Sequence, residues 1–156
     1  MTYARAFALS LLAAILFTSP AWAKEKKIQR ADLPPAVEKT VAAESQGATI
    51  RGFSEETEKG HTYYEAELVV GGHHKDILID RDGAIVEVEE QVALDSLPAA
   101  VQQGLKEKAG KGTLLEVESL TKHGKLVAYE AQVKGRNGKR TEIQVGPDGK
   151  SLAHEE

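Results

Sequence analysis

Apolar residues in this chain follow two rhythms that take turns along its length. Leu33, Val37 and Val41 recur at every fourth position, and so do Leu97, Val101 and Leu105. Each set draws one apolar stripe on a helix. After each stripe the period drops to two. Tyr64, Ala66, Leu68 and Val70 share one face of a strand, and Tyr63, Glu65 and Glu67 share the other. Ile77 and Ile79 alternate with Asp76 and Asp80, and Val86 and Val88 with Glu87 and Glu89. Further on, Tyr129, Ala131 and Val133 alternate with Glu130 and Gln132, and Ile143 and Val145 with Glu142 and Gln144. One-sided alternation of this kind predicts antiparallel strands with one packed and one wet face. Turn chemistry separates the runs: Lys59-Gly60, Gly71-Gly72, Asp82-Gly83, His123-Gly124, Asn137-Gly138 and Asp148-Gly149. Earlier strands are expected near 48–56 and 113–120. Pro34, Pro35 and Pro98 suit a first helical turn, where a missing N–H costs nothing. Asp32 and Ser96 stand at N-cap positions, and Gly47 and Gly110 at helix ends. Gly104, inside the second helix, should weaken it by about 1 kcal/mol relative to Ala.

The landmarks come twice. LPPAV (33–37) falls on LPAAV (97–101), YYEAEL (63–68) on AYEAQV (128–133), and DILIDRDG (76–83) on EIQVGPDG (142–149), at spacings of 64 to 66 positions. Ordered landmarks with small drift are what duplication with loop insertions leaves behind. The expected fold is α+β: two tandem repeats, each a helix plus a four-stranded antiparallel sheet. Repeat one spans 33–92 and repeat two 97–156, joined by a linker at 93–96. One unit of about 60 residues is marginal alone, and two joined units bury more per residue.

Ahead of the repeats, Arg5 precedes a short apolar run (6–17), then Pro20 and Ala21-Trp22-Ala23, a small-x-small site, then charged residues. Residues 1–23 are expected to be a cleaved secretory signal peptide, and 24–32 a charged, mobile leader. No stretch approaches the roughly 20 apolar residues of a membrane span. A periplasmic location follows as the expectation, without lipid attachment or disulfides, since Cys is absent.

The ordered set of a Leu-Pro-x-Ala-Val helix, a Tyr-Glu-Ala strand, a Gly turn and an alternating strand ending in Asp-x-Asp-Gly resembles the PepSY and PepSY-like domains. The pieces are Leu33–Val37, Tyr64–Leu68, Asp76–Gly83 and Ile85–Glu87, repeated at Leu97–Val101, Tyr129–Val133, Glu142–Gly149 and Leu152. The architecture is also similar to that of beta-lactamase inhibitor protein. The resemblance implies an exported, tandem, non-catalytic module that meets an enzyme through its sheet. Some relatives sit in propeptides of secreted metallopeptidases, where inhibition has been proposed. The second copy departs from the pattern, with Gly146-Pro147 in place of the first turn acid.

Composition narrows the chemistry. The chain carries 20 basic and 24 acidic residues, a net charge of −4. That balance argues against nucleic acid, which rewards a basic surface. Past the leader only Phe53, Tyr63, Tyr64 and Tyr129 are aromatic, too few for stacking on sugars or bases. The acids Glu65, Glu67, Glu87, Glu89, Glu90, Glu130 and Glu142 lie on alternating, wet positions. They form a solvated face rather than a general acid–base pair, which needs environments that push two pKa values apart. That face is the candidate protein-binding surface, with Glu65, Glu67, Glu87, Glu130, Gln132 and Glu142 its expected contacts and another exported protein its partner. An acidic sheet suits a basic patch and speeds encounter more than it adds affinity.

His73-His74 is the alternative site, for a metal or small ligand in a sensor protein. Neighbours on a strand point to opposite faces, so the pair chelates only from a loop, and a closed zinc site wants four ligands. The bland reading is a polar hairpin tip. Asp80-Arg81-Asp82-Gly83 misplaces the Gly and Glu of a calcium loop and reads as a turn. No Gly-x-Ser-x-Gly elbow or phosphate loop is present. No catalytic residue and no cofactor is expected.

Overall fold

A computed structural model of the protein describes residues 26–58, 60–154 and 156. The expected signal peptide at 1–23 lies outside the described residues. Eight strands run in chain order through a single antiparallel sheet. They are β1 (Lys26–Ile28), β2 (Thr49–Glu58), β3 (His61–Val70), β4 (His73–Asp80), β5 (Ile85–Gln91), β6 (Thr113–Lys122), β7 (Lys125–Lys134) and β8 (Arg140–Val145). Helix α1 (Pro35–Glu44) enters between β1 and β2, and α2 (Ala99–Ala109) between β5 and β6. Among the described residues no helix is long and apolar enough to cross a membrane.

Both apolar stripes bury as their spacing requires. Leu33, Val37 and Val41 pack with Phe53, Tyr64, Ala66, Leu68, Ile77 and Ile79, and Ile28 of β1 joins them. Leu97, Val101 and Leu105 pack with Val117, Ala131 and Val145, with Tyr129 half-buried against that cluster. The two cores stand side by side on the same face. The register connects that face across the join, where Ile77 lies opposite Val88 and Val88 opposite Thr121.

Two expectations need correction, and a point the sequence leaves open, whether the two sheets join, is answered. The second helix is followed by three strands, not four, because Ser151–His154 do not extend the ladder after the 146–150 turn. The two sheets are one, since β5 pairs with β6 from Glu87↔Lys122 to Gln91↔Glu118. The segment read as a mobile leader contributes β1, held to β2 by Lys26↔Glu55 through Ile28↔Phe53. Burial of Ile28 anchors it.

The helix starts also differ in detail. Pro34 and Pro98 occupy the N-cap positions, without a side-chain cap. Asp32 instead accepts a hydrogen bond from the Gln29 amide at 2.9 Å, and the Ser96 hydroxyl donates to the Ala93 carbonyl at 2.7 Å. Proline has no N–H to leave unsatisfied, so the first turn loses less by going uncapped.

Each helix is pinned by a turn at corresponding positions. Gly83 lies against Ala36, where a β-carbon would stand 2.7 Å from the carbonyl oxygen. Gly149 lies against Ala100 with the same distance 2.1 Å. The Thr40 hydroxyl donates to the Gly83 carbonyl at 2.6 Å. At the matching place on α2 stands Gly104, directly against Gly149. Strands β2 and β6 both carry a bulge one turn into the sheet, between Ile50 and Gly52 and between Leu114 and Glu116.

Candidate functional site on the open sheet face

With both helices on one side, period-two geometry sends every alternate strand residue to the other. One row there runs Ser54, Glu65, Leu78, Glu87, Lys122 across β2 to β6. The next runs Gly52, Glu67, Asp76, Glu89, Leu120, Ala128 across β2 to β7. A third joins Gln91, Glu118, Glu130 and Gln144. Directly opposed side chains in such rows have Cβ atoms about 4.5–5.5 Å apart. Register alone therefore sets Glu67, Asp76 and Glu89 side by side, and Glu118 opposite Glu130.

The expected contact residues do share this face, but they are less wet than their alternation predicts. Glu65, Glu67, Glu87, Glu130 and Gln132 are half-buried, and of the six only Glu142 is exposed. Several are tied down. The Ser54 hydroxyl donates to Glu65 at 2.5 Å, and Lys27 of β1 bonds Glu67. Lys122 lies 3.4 Å from Glu87. Arg140 donates to Gln132 at 2.9 Å, and the Gln144 amide to Glu130 at 2.7 Å. The Glu156 amide in turn donates to the Gln144 side-chain oxygen at 2.8 Å.

Three acids depart furthest from solvated behaviour. Burial pushes the Glu89 carboxyl up to about 9, with the charges of Glu130, Glu118, Glu87 and Asp76 adding to it. Its cross-strand neighbour Leu120 is only 1% exposed and supplies apolar surroundings. Burial raises Glu118 to about 7, helped by Glu116, Glu130 and Asp76. Asp76 rises to about 6, from burial first and then Glu65 and Glu67, with His74 and the Leu68 amide pulling the other way. These causes are desolvation and like charge acting together. The reading of this face as uniformly solvated acids is corrected accordingly. Glu89 was visible as an alternating residue, but Glu118 was missed. Only the β5–β6 pairing brings Glu118 beside Gln91 and toward the β3–β5 acids.

Two hollows mark the face. A basin of about 210 Å³ is lined by Glu56, Glu65, Asp76, Leu78, Glu87 and Glu89. A wider cleft of about 450 Å³ opens at the hairpin tips, among His61, Tyr63, Asp80, Arg81 and His123.

His73 and His74 begin β4 and leave it on opposite faces, both exposed. The His74 Nδ1 lies 3.0 Å from Glu116 Oε1, an ion pair when the imidazole is protonated. That Glu116 oxygen is otherwise covered and, among the described residues, without a hydrogen-bond donor. Among the described residues no group of three or more His, Cys, Asp or Glu is arranged to hold a metal ion.

No family model matches this chain, and no curated protein does either. Solved structures do. A protein from Bacteroides eggerthii assigned to the periplasm is 22% identical, with TM-score 0.63 over 77% of this chain and 86% of its own. A BLIP-like protein from Bacteroides fragilis is 19% identical, with TM-score 0.56 over 77% of this chain and 83% of its own. A DUF2874 family protein from Bacteroides ovatus is 20% identical, with TM-score 0.60 over 78% of this chain and 86% of its own. At these identities the likeness is one of fold. The chain has a BLIP-like α+β fold.

Proposed function

We propose that this chain is an exported, non-catalytic binding module that modulates another exported protein through its open sheet face. An enzyme such as a peptidase is the intended partner, and inhibition the intended outcome. The carrying observation is the one-sided architecture. Both helices cover one face, while among the described residues the other keeps a carboxylate-rich, hollowed surface with no layer over it. Likeness to a BLIP-like protein supports a protein partner and the similarity to a periplasmic one supports export. Fold likeness alone would not carry this. The contact surface is taken to include Glu65, Glu67, Glu87, Glu130, Gln132 and Glu142.

The module is read as two tandem PepSY-like units behind a signal peptide cleaved after Ala23. Matching contacts support the duplication: Gly83 on Ala36 and Gly149 on Ala100, with bulges at equal places in β2 and β6. Shared ancestry accounts for such paired details, which independent strands have no reason to repeat.

The test is capture from periplasmic extract on immobilised protein. Glu65→Lys with Glu130→Lys should abolish capture of the partner. Lys39→Glu on α1, on the opposite side, should not. Capture that ignores the first pair, or that depends on Lys39, would refute the assignment of the face.

A further inference from the structure

The net charge of −4 hides an uneven distribution. Residues 134–140, which turn β7 into β8, read Lys-Gly-Arg-Asn-Gly-Lys-Arg, four cations and no acid. Register sets Lys134 directly opposite Arg140 at the end of that hairpin. Like charges so placed are destabilising. The matching pair in the first half is Val69 and His74. All four cations are exposed, and among the described residues none of them forms an ion pair with an acid. Nor does the turn need them. The Gly138 amide donates to the Gly135 carbonyl and the Gly135 amide to the Lys139 carbonyl, both at 2.9 Å, and the Lys139 amide donates to the Asn137 side chain at 3.0 Å. The α2–β6 connection adds exposed Lys111, and Gly112 after it lies against Val133 and the Lys134 carbonyl. Two positions beyond Thr113, which pairs with Lys134, the β6 bulge leaves Leu115 out of the ladder and 44% exposed. Arg51 holds that place in the β2 bulge, so the bulge does not call for an apolar residue.

We propose that this basic end of the second half docks on an anionic phospholipid membrane, an inference independent of the partner assigned to the open face. Exposed cations on long stems, spread over a turn and a loop, suit a field of anionic headgroups, which asks for charge and not for a fixed geometry. An exposed leucine beside them suits the boundary just beneath the headgroups. An acidic protein segment would use the same cations but gives Leu115 no role. The acids nearest in sequence or register are Glu107, Glu142 and Glu116, and Glu116 is paired with His74. The coupled acids stand farther off. Glu130 is four residues along β7 from Lys134, about 13 Å at about 3.3 Å per residue, beyond the screening length of about 8 Å at physiological salt. The rest of the chain is net acidic, so attraction is confined to this end and attachment has one orientation.

The test is flotation of the exported protein with vesicles of phosphatidylglycerol and phosphatidylcholine in equal parts, against vesicles of phosphatidylcholine alone. The protein should float with the first and not with the second, and raised salt should release it. Arg136→Glu with Lys139→Glu should weaken attachment about fifty-fold or more, since each charge near the surface is worth roughly fivefold. Arg136→Gln with Lys139→Gln, a milder change, should weaken it about twenty-fold if the reversal disturbs the turn. Leu115→Ser should weaken it several-fold. Equal flotation with both kinds of vesicle, or attachment unchanged in the charge variants, would overturn the proposal. So would binding of soluble polyglutamate, lost in the charge variants, without attachment to either vesicle, which would assign this end to an acidic protein instead.

Discussion

Gly104 and Gly149 meet so closely that a β-carbon on Gly104 would stand 2.0 Å from the Gly149 carbonyl oxygen. The obstacle is backbone, which cannot swing aside as a side chain can. A mid-helix glycine ordinarily costs about 1 kcal/mol relative to Ala. Gly104→Ala would recover that and lose more through overpacking, typically 1–3 kcal/mol and here toward the upper end. Thermal unfolding should show a Tm lower by roughly 3–8 °C. A raised Tm would mean that the 146–150 turn moves aside freely.

At the corresponding place on α1 the same join is made by a hydrogen bond, from Thr40 to the Gly83 carbonyl. Thr40→Val keeps the shape and leaves that acceptor short of a donor, at a cost of about 1–2 kcal/mol. Thr40→Ser should retain most of the stability. Urea midpoints at constant slope would distinguish the two.

The raised acids make stability depend on pH in a set direction. Glu89, Glu118 and Asp76 start from 4.5, 4.5 and 3.8 and rise to about 9, 7 and 6 in the fold. Above about pH 4 the unfolded chain releases these protons while the folded chain keeps them. Stability is therefore greatest on the acid side and is lost as pH rises through about 6, 7 and 9. Tm should fall between pH 5 and pH 9. Glu89→Gln, which carries no charge to desolvate, should raise Tm at pH 9 and flatten the upper part of the curve. A Tm that climbs with pH would contradict the burial of these acids.

The His74–Glu116 pair should matter little to stability, since the His74 side chain is 58% exposed. Exposed pairs contribute about 0–1 kcal/mol. His74→Ala should instead move the titration of its acidic neighbours. The His74 charge lowers both Asp76 and Glu118, so both should titrate at higher pH without it. Carboxyl-carbon NMR titration reads this directly, and unmoved curves would place His74 outside the electrostatics of the face.

Much of this fold can be read from residue spacing, and the exceptions share a cause. Val37, Val41, Ile77 and Ile79 lie in the core because helical and strand periods are local properties. The Asp82-Gly83 and Asp148-Gly149 turns are equally local. Strand β1 is three residues long, too short for a period to show, and is defined by its partners Phe53, Ser54 and Glu55 on β2. The pattern that suggested a final strand past Gly149 ended at Leu152, with no alternating run behind it. Gly104 read as a weak point because its contact is 45 residues distant in sequence. The coupled acids were hidden for the same reason. Alternation places Glu118 on one side of a strand, but strand order decides which charges it must face.

The ladder from Glu87↔Lys122 to Gln91↔Glu118 leaves no hinge between the first helix-bearing half and the second. Two halves attached by a flexible tether would move as two independent hands. Attached edge to edge they make a single wider palm, whose span is set at folding.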